Sequence, residues 1–116
     1  MKTLRIPLRV VFYKDEDQWI AHCLEFDLCG DEDTKEVAVR SLTTAIQIQV
    51  EDSLAHNNPK NLFTPADGEV FEKFFAGKDT VSGELKLTFD GLDFQGTEYR
   101  EYSEDLAGAG RGFVSA

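Results

Sequence analysis

A chain of 116 residues is long enough for one domain with a modest core. Its 41% hydrophobic and 29% charged residues are ordinary for a globular protein, while 22 acids against 12 bases leave a net charge of -10. That balance excludes a general nucleic-acid binder, which needs clustered Lys and Arg against phosphate. Residues 1–58 and 59–116 each carry -5, so no basic half hides inside the acidic total. An acidic surface of this kind suits a basic protein partner, although solubility alone also accounts for it.

In chain order, Leu4, Ile6, Leu8 and Val10 alternate with polar or small residues. Asp15-Glu16-Asp17 then mark a turn, and Trp19, Ala21 and Cys23 resume the alternation. That pattern predicts a β-hairpin with one buried face. Pro7 cannot donate to a ladder, so the first strand should be an edge there or turn that position to solvent. A third strand is expected through Phe26 and Leu28, ending at Gly30.

Thr34 reads as the N-cap of a helix, with Glu36 at its positive dipole end. Over residues 35–58 the period changes to 3.6. Val39, Leu42, Ile46, Val50 and Leu54, with Ala38 and Ala45, make one apolar stripe. Asn57 or Asn58 suits the left-handed cap, and Pro59 forbids continuation. A shorter second helix is expected with Thr64 as N-cap, Pro65 at the first helical position, Asp67 at the capping-box site and Gly77 as the stop. Phe71, Phe74 and Phe75 would be its apolar face. Leu85, Leu87 and Phe89 predict a fourth strand through Phe94, and residues 95–106 favour neither helix nor strand. The Gly/Ala-rich end reads as a mobile tail. The expected fold is α+β: a small antiparallel sheet, a long amphipathic helix, and a further helix and strand. Residues 1–94 would form the single domain and 95–116 a C-terminal extension.

The segment "YKDEDQWIAHCLEFDLCGDEDTKEVAVRSLTTAIQIQVED" carries a resemblance. It supplies Tyr13 near the end of strand one, an acidic turn, then Trp19 and Ala21 on strand two. Cys23-Leu24-Glu25-Phe26-Asp27 follow, then a second acidic turn, Thr34 and Ala38. In order and spacing, residues 5–55 resemble the HicB-like antitoxin domain family, departing at Val37, where a second glutamate is usual. The resemblance implies a reduced RNase H-like fold without nuclease activity. It also implies a protein that binds and masks a small basic HicA-type ribonuclease toxin. Many HicB proteins add a DNA-binding segment, but residues 59–116 hold no basic recognition helix, so no direct nucleic-acid contact is expected.

Asp15, Glu16, Asp17, Asp31, Glu32 and Asp33 are therefore the candidate partner-binding residues. The competing reading makes Asp27 and a turn acid part of a two-metal nuclease site, which needs carboxylates converging from strands and a helix. Acids confined to two turns do not supply that convergence. Asp31-x-Asp33 also fails as a calcium loop, since Glu36 stands where glycine is required. His22 faces opposite to Cys23 on the second strand and is read as a surface or cross-strand residue. Cys23 and Cys29 share parity if the segment stays extended, and packing is favoured over zinc. Trp19, with the parity of Ala21 and Cys23, is favoured as a core anchor over a partner contact. No catalytic residue, cofactor or metal is expected. The chain lacks an apolar run of membrane-spanning length and a signal-peptide h-region, which makes cytoplasm the expected location. A homo-oligomeric regulatory or scaffold module, self-pairing through an exposed edge strand, is the alternative to the antitoxin.

Overall fold

The structure, a computed structural model, describes residues 4–56, 63–80, 87–89, 92–94 and 97–103. Its centre is the expected hairpin. Strand β2 (Arg9–Asp15) pairs antiparallel with β3 (Gln18–Cys23), in a register that sets Phe12 opposite Ala21 and Asp15 opposite Gln18. Glu16 takes the turn at φ 55, a left-handed conformation that two-residue hairpin loops require. Strand β4 (Leu28–Glu32) pairs antiparallel with β3, and α1 (Lys35–Ala55) follows it.

The alternation of side chains along β2 and β3 feeds two cores. Val10, Phe12, Ala21 and Cys23 point to one face, where Ala38, Val39, Leu42, Ile46 and Val50 of α1 bury them. Val11 and Leu24 point to the other face, where Ala66, Val70 and Phe74 cover them. Thr34 caps α1 as expected, its hydroxyl accepting from the Val37 amide at 3.2 Å. Ser53 is buried where the stripe predicts Leu54, which is 50% exposed. The helix ends with His56 as its cap, and the expected caps at 57–59 lie outside the described residues.

Several expectations are corrected by long-range pairing. The run from Leu4 to Val10 is two strands, because Pro7 interrupts the ladder. Strand β1 (Leu4–Arg5) joins a separate three-stranded sheet, parallel to a later strand. The expected fourth strand is instead a hairpin in that second sheet, β6 (Leu87–Phe89) with β7 (Leu92–Phe94). Asp90-Gly91, between the two strands in sequence, is the dipeptide that favours such a turn. The second helix, α2 (Gly68–Ala76), starts at Asp67 rather than Thr64. The reason is tertiary: the Ala66 amide donates to the Leu24 carbonyl at 2.9 Å, which holds residues 63–67 against the sheet. Gly77 is the C-cap as expected.

The main sheet is mixed rather than antiparallel: with β5 (Lys78–Asp79) and β8 (Glu98–Glu101), its order is β4-β3-β2-β8-β5. Strand β8 (Glu98–Glu101) pairs parallel to β2 and antiparallel to β5 (Lys78–Asp79). Residues 98–101, expected in the C-terminal extension, thus lie inside the sheet. The architecture is a small α+β fold with a five-stranded mixed sheet and two helices among the described residues. No helix among them is long and apolar enough to cross a membrane.

Candidate functional site

The two acidic segments meet at one end of the main sheet. Asp15, Glu16 and Asp17 form the β2–β3 turn, and β3 leads away from it through Gln18 and Trp19. Trp19 is opposite Glu32 and Ile20 opposite Asp31, so the end of β4 lies beside the start of β3. Gln18 Nε2 donates to Asp33 Oδ1 at 3.5 Å and links the two segments. Asp31 and Glu32 are corrected from turn to strand residues, and only Asp33 lies in the bend before Thr34. Five of the six carboxylates are exposed and Glu32 is half-buried. None of the six forms an ion pair among the described residues, although Lys14 and Lys35 are close in sequence.

Both lysines face the ring of Trp19, which stands between Lys14 and Glu32 in the sheet. Lys14 and Lys35 each place an ammonium 5.3 Å from the Trp19 ring centre, and Lys35 Nζ meets Glu101 Oε1 at 2.5 Å. Trp19 is half-buried: it packs against the α1 core while its ring serves both cations, each within cation–π range. The six carboxylates carry no ion pair among the described residues, and the two nearest ammonium groups face the Trp19 ring instead.

A second cluster was hidden from the sequence reading. Residues 24–27 turn instead of staying extended, with Asp27 at φ 52, so Leu28 pairs with Cys23 and Cys29 pairs with His22. Cys23 and Cys29 therefore lie on opposite faces. His22 is buried, not at the surface, and is satisfied on both ring nitrogens. In the tautomer with Nε2–H, Nε2 donates to Asp27 Oδ1 at 2.7 Å and Nδ1 accepts the hydrogen bond of the Tyr13 hydroxyl at 2.9 Å. Parity arithmetic misplaced this cluster by a single left-handed residue, Asp27.

The Tyr13–His22–Asp27 chain has the connectivity of a nucleophile, base and orienting carboxylate. Burial, with the charges of Cys29, Asp15 and Asp27 behind it, pushes the Tyr13 hydroxyl up to about 12. Burial pushes Cys29 up to about 11, with Asp27 and Asp31 adding to the shift, and pushes Cys23 up to about 12. Asp27, the acid considered for metal chemistry, is committed to His22. No group of three or more His, Cys, Asp or Glu among the described residues is placed to hold a metal ion.

The Cys29 thiol, partly desolvated although the residue as a whole is exposed, should accordingly react with an alkylating reagent roughly tenfold more slowly at neutral pH than an ordinary cysteine. Loss of thiolate is about 100-fold, partly offset by the greater nucleophilicity of a more basic sulfur. A pH–rate profile checks this: the rate should still be rising at pH 10, and a plateau reached by pH 9 would contradict it.

No protein-family model, no curated protein and no solved structure matches the chain.

Proposed function

We propose that the protein is a HicB-like, antitoxin-type binding module of the cytoplasm. It neutralises a small basic HicA-type ribonuclease by covering the surface that the toxin uses for RNA. The observation that carries this reading is the meeting of Asp15, Glu16, Asp17, Asp31, Glu32 and Asp33 at one sheet end, none of them ion-paired among the described residues. The succession of hairpin, third strand, Thr34 cap and long amphipathic α1 supports the HicB-like part of the proposal.

An RNA-binding surface must be basic to neutralise phosphate, so a carboxylate cluster competes for it by the same electrostatics. Six exposed or half-exposed charges raise the encounter rate and select the partner more than they set residence time. Their desolvation is cheap at a rim and would be costly in a core, and five of the six are exposed.

Reversing charge at Asp17, Asp31 and Asp33 together (each to Lys) should weaken toxin binding by about 100-fold at low salt and flatten its salt dependence. Titration calorimetry against the toxin at two ionic strengths checks both. Binding unchanged in affinity and salt slope would overturn the assignment of this surface.

A further inference from the structure

We propose a second interaction surface: the outer edge of β4 takes an extended segment of a partner protein as a further strand. That segment carries Lys or Arg at every second position and small or apolar residues between. The proposal deepens the reading of the acidic end and rests on it for the sign of the partner's charge.

The register shows which backbone groups the edge offers. The Leu24 amide donates to the Arg9 carbonyl at 2.9 Å, which continues the β2–β3 pairing by one residue. In an antiparallel ladder, successive residues turn their amide and carbonyl to alternate neighbours. Leu24, His22 and Ile20 therefore turn theirs to β2, and Cys23, Ala21 and Trp19 turn theirs to β4. The residues opposite the latter, Leu28, Gly30 and Glu32, face back to β3. Cys29 and Asp31 are left facing outward. Among the described residues no strand pairs with this edge, and neither residue makes a backbone hydrogen bond outside the ladder. Two donors and two acceptors in alternation are what an added strand takes up.

The two faces beside the edge ask for different side chains. On the α1 face an open groove of about 510 Å³ is lined by Glu32 of β4 and by Val37, Ser41, Ala45 and Ile48 of α1, among others. Its one cation and one anion, Arg40 and Glu32, leave it without net charge, so it suits small or apolar side chains. On the opposite face Cys29 lies beside His22, and Asp31 beside Ile20. The charges of Asp27 and Asp31 both reach the Cys29 thiol, so the two acids bracket it. Asp31 is exposed and has no ion pair among the described residues. Side chains of a strand alternate between faces. A strand with a basic residue opposite Asp31 and an apolar one opposite Gly30 therefore satisfies both faces at once.

Shape and charge both select a foreign segment over a second copy. A Cβ on Gly30 would lie 2.0 Å from the Ala38 carbonyl oxygen, so the edge strand runs directly beneath α1. A copy paired across this edge would bring its own α1 into overlap with the first. Its β4 would also set acids against acids, and like charges facing each other across a ladder are destabilising. The occupant is therefore a strand with no helix on the α1 face and with charge opposite to that of Asp31.

The test is titration of the full chain with a short synthetic peptide of alternating Lys and Val, followed by amide NMR. At saturation, amide exchange at Cys29 and Asp31 should slow by at least about tenfold, because both amides gain acceptors. Backbone pairing is separated from charge by methylating the peptide itself. The Lys residues lie on the Asp31 face and pair with the outward groups, so N-methylation of their amides should weaken binding by at least about tenfold. N-methylation of the Val amides, at the same charge, should leave it intact. Asp31→Lys should reverse the preference towards a peptide of alternating Glu and Val, with unchanged circular dichroism showing that the variant folds. No binding up to roughly 1 mM peptide overturns the proposal. So does equal binding of the two methylated peptides, which would leave the acidic end standing as a charged surface without strand addition. Slowed exchange with no preference for Lys over Glu overturns it as well, through the charge it takes from the acidic end. Strand addition by the Lys peptide, with no basic protein recovered from the cells, would uphold this edge and sink the antitoxin reading alone.

Discussion

Gly30→Ala should lower the melting temperature by roughly 10 °C or abolish folding, although it adds a single methyl group. Gly30 is on β4 beneath α1, where a Cβ would meet main-chain atoms of Ala38 and Leu42 at 2.0 Å and 2.6 Å. Main chain inside a helix cannot rotate away as a side-chain tip can, so relief requires lifting α1 from the sheet. Overpacking of this kind costs up to about 3 kcal/mol, and occasionally more, with ~4 °C of melting temperature per kcal/mol in a domain of this size. The cost falls on the larger core, since α1 buries Val10, Phe12, Ala21 and Cys23 through Leu42 and Ile46. Thermal denaturation followed by circular dichroism measures it. A loss under 3 °C would mean that α1 does not approach β4 as described.

The second large effect separates two neighbouring phenylalanines. Phe74→Ala should cost about 3–4 kcal/mol, while Phe75→Ala should stay within ~0.5 kcal/mol. Phe74 is 1% exposed and closes the smaller core with Val11, Leu24, Ala66 and Val70. Two cations also use its ring, Arg100 at 4.6 Å and Arg9 at 6.0 Å from the centre. Arg9 is in turn held by Glu25, through Nε to one carboxylate oxygen and through its amide to the other, both at 2.8 Å. Removing Phe74 thus loosens α2 and the β2–turn connection together. Phe75 is 62% exposed and touches Phe74 edge-on. Urea titrations of both variants decide the matter, and equal destabilisation would contradict the placement of α2.

What could be read in the sequence was whatever local periodicity and capping chemistry dictate. Period 2 placed β2 and β3, period 3.6 placed α1, and Thr34 marked its start within one residue. The failures have a common cause in contacts between distant residues. Nothing near Glu98 announces that it will run parallel to β2, because the pairing partner is about ninety residues away and parallel strands carry no turn signature. Thr64-Pro65 is a sound local helix start, overruled by one hydrogen bond from Ala66 to Leu24. The Asp-Gly pair at 90–91 was a readable hairpin signal that the alternation around it concealed.

The candidate site divides in the same way. Both acidic runs were visible, and the hairpin register alone brings them near each other once β4 is paired to β3. The Tyr13–His22–Asp27 cluster was not visible, because it depends on Asp27 adopting a left-handed conformation unusual for a residue other than glycine. That one backbone choice turns Cys29 towards His22 and leaves Cys23 in the α1 core.

The most direct test of the proposed function is co-purification of the full chain from its own cells, in parallel with the variant carrying Asp17→Lys, Asp31→Lys and Asp33→Lys. The account predicts that one small basic protein with RNA-cleaving activity accompanies the unaltered chain in stoichiometric amount, is silent while bound, and is lost from the variant. Recovery of the chain without any basic protein, or of the same partner in equal amount with both chains, would contradict it.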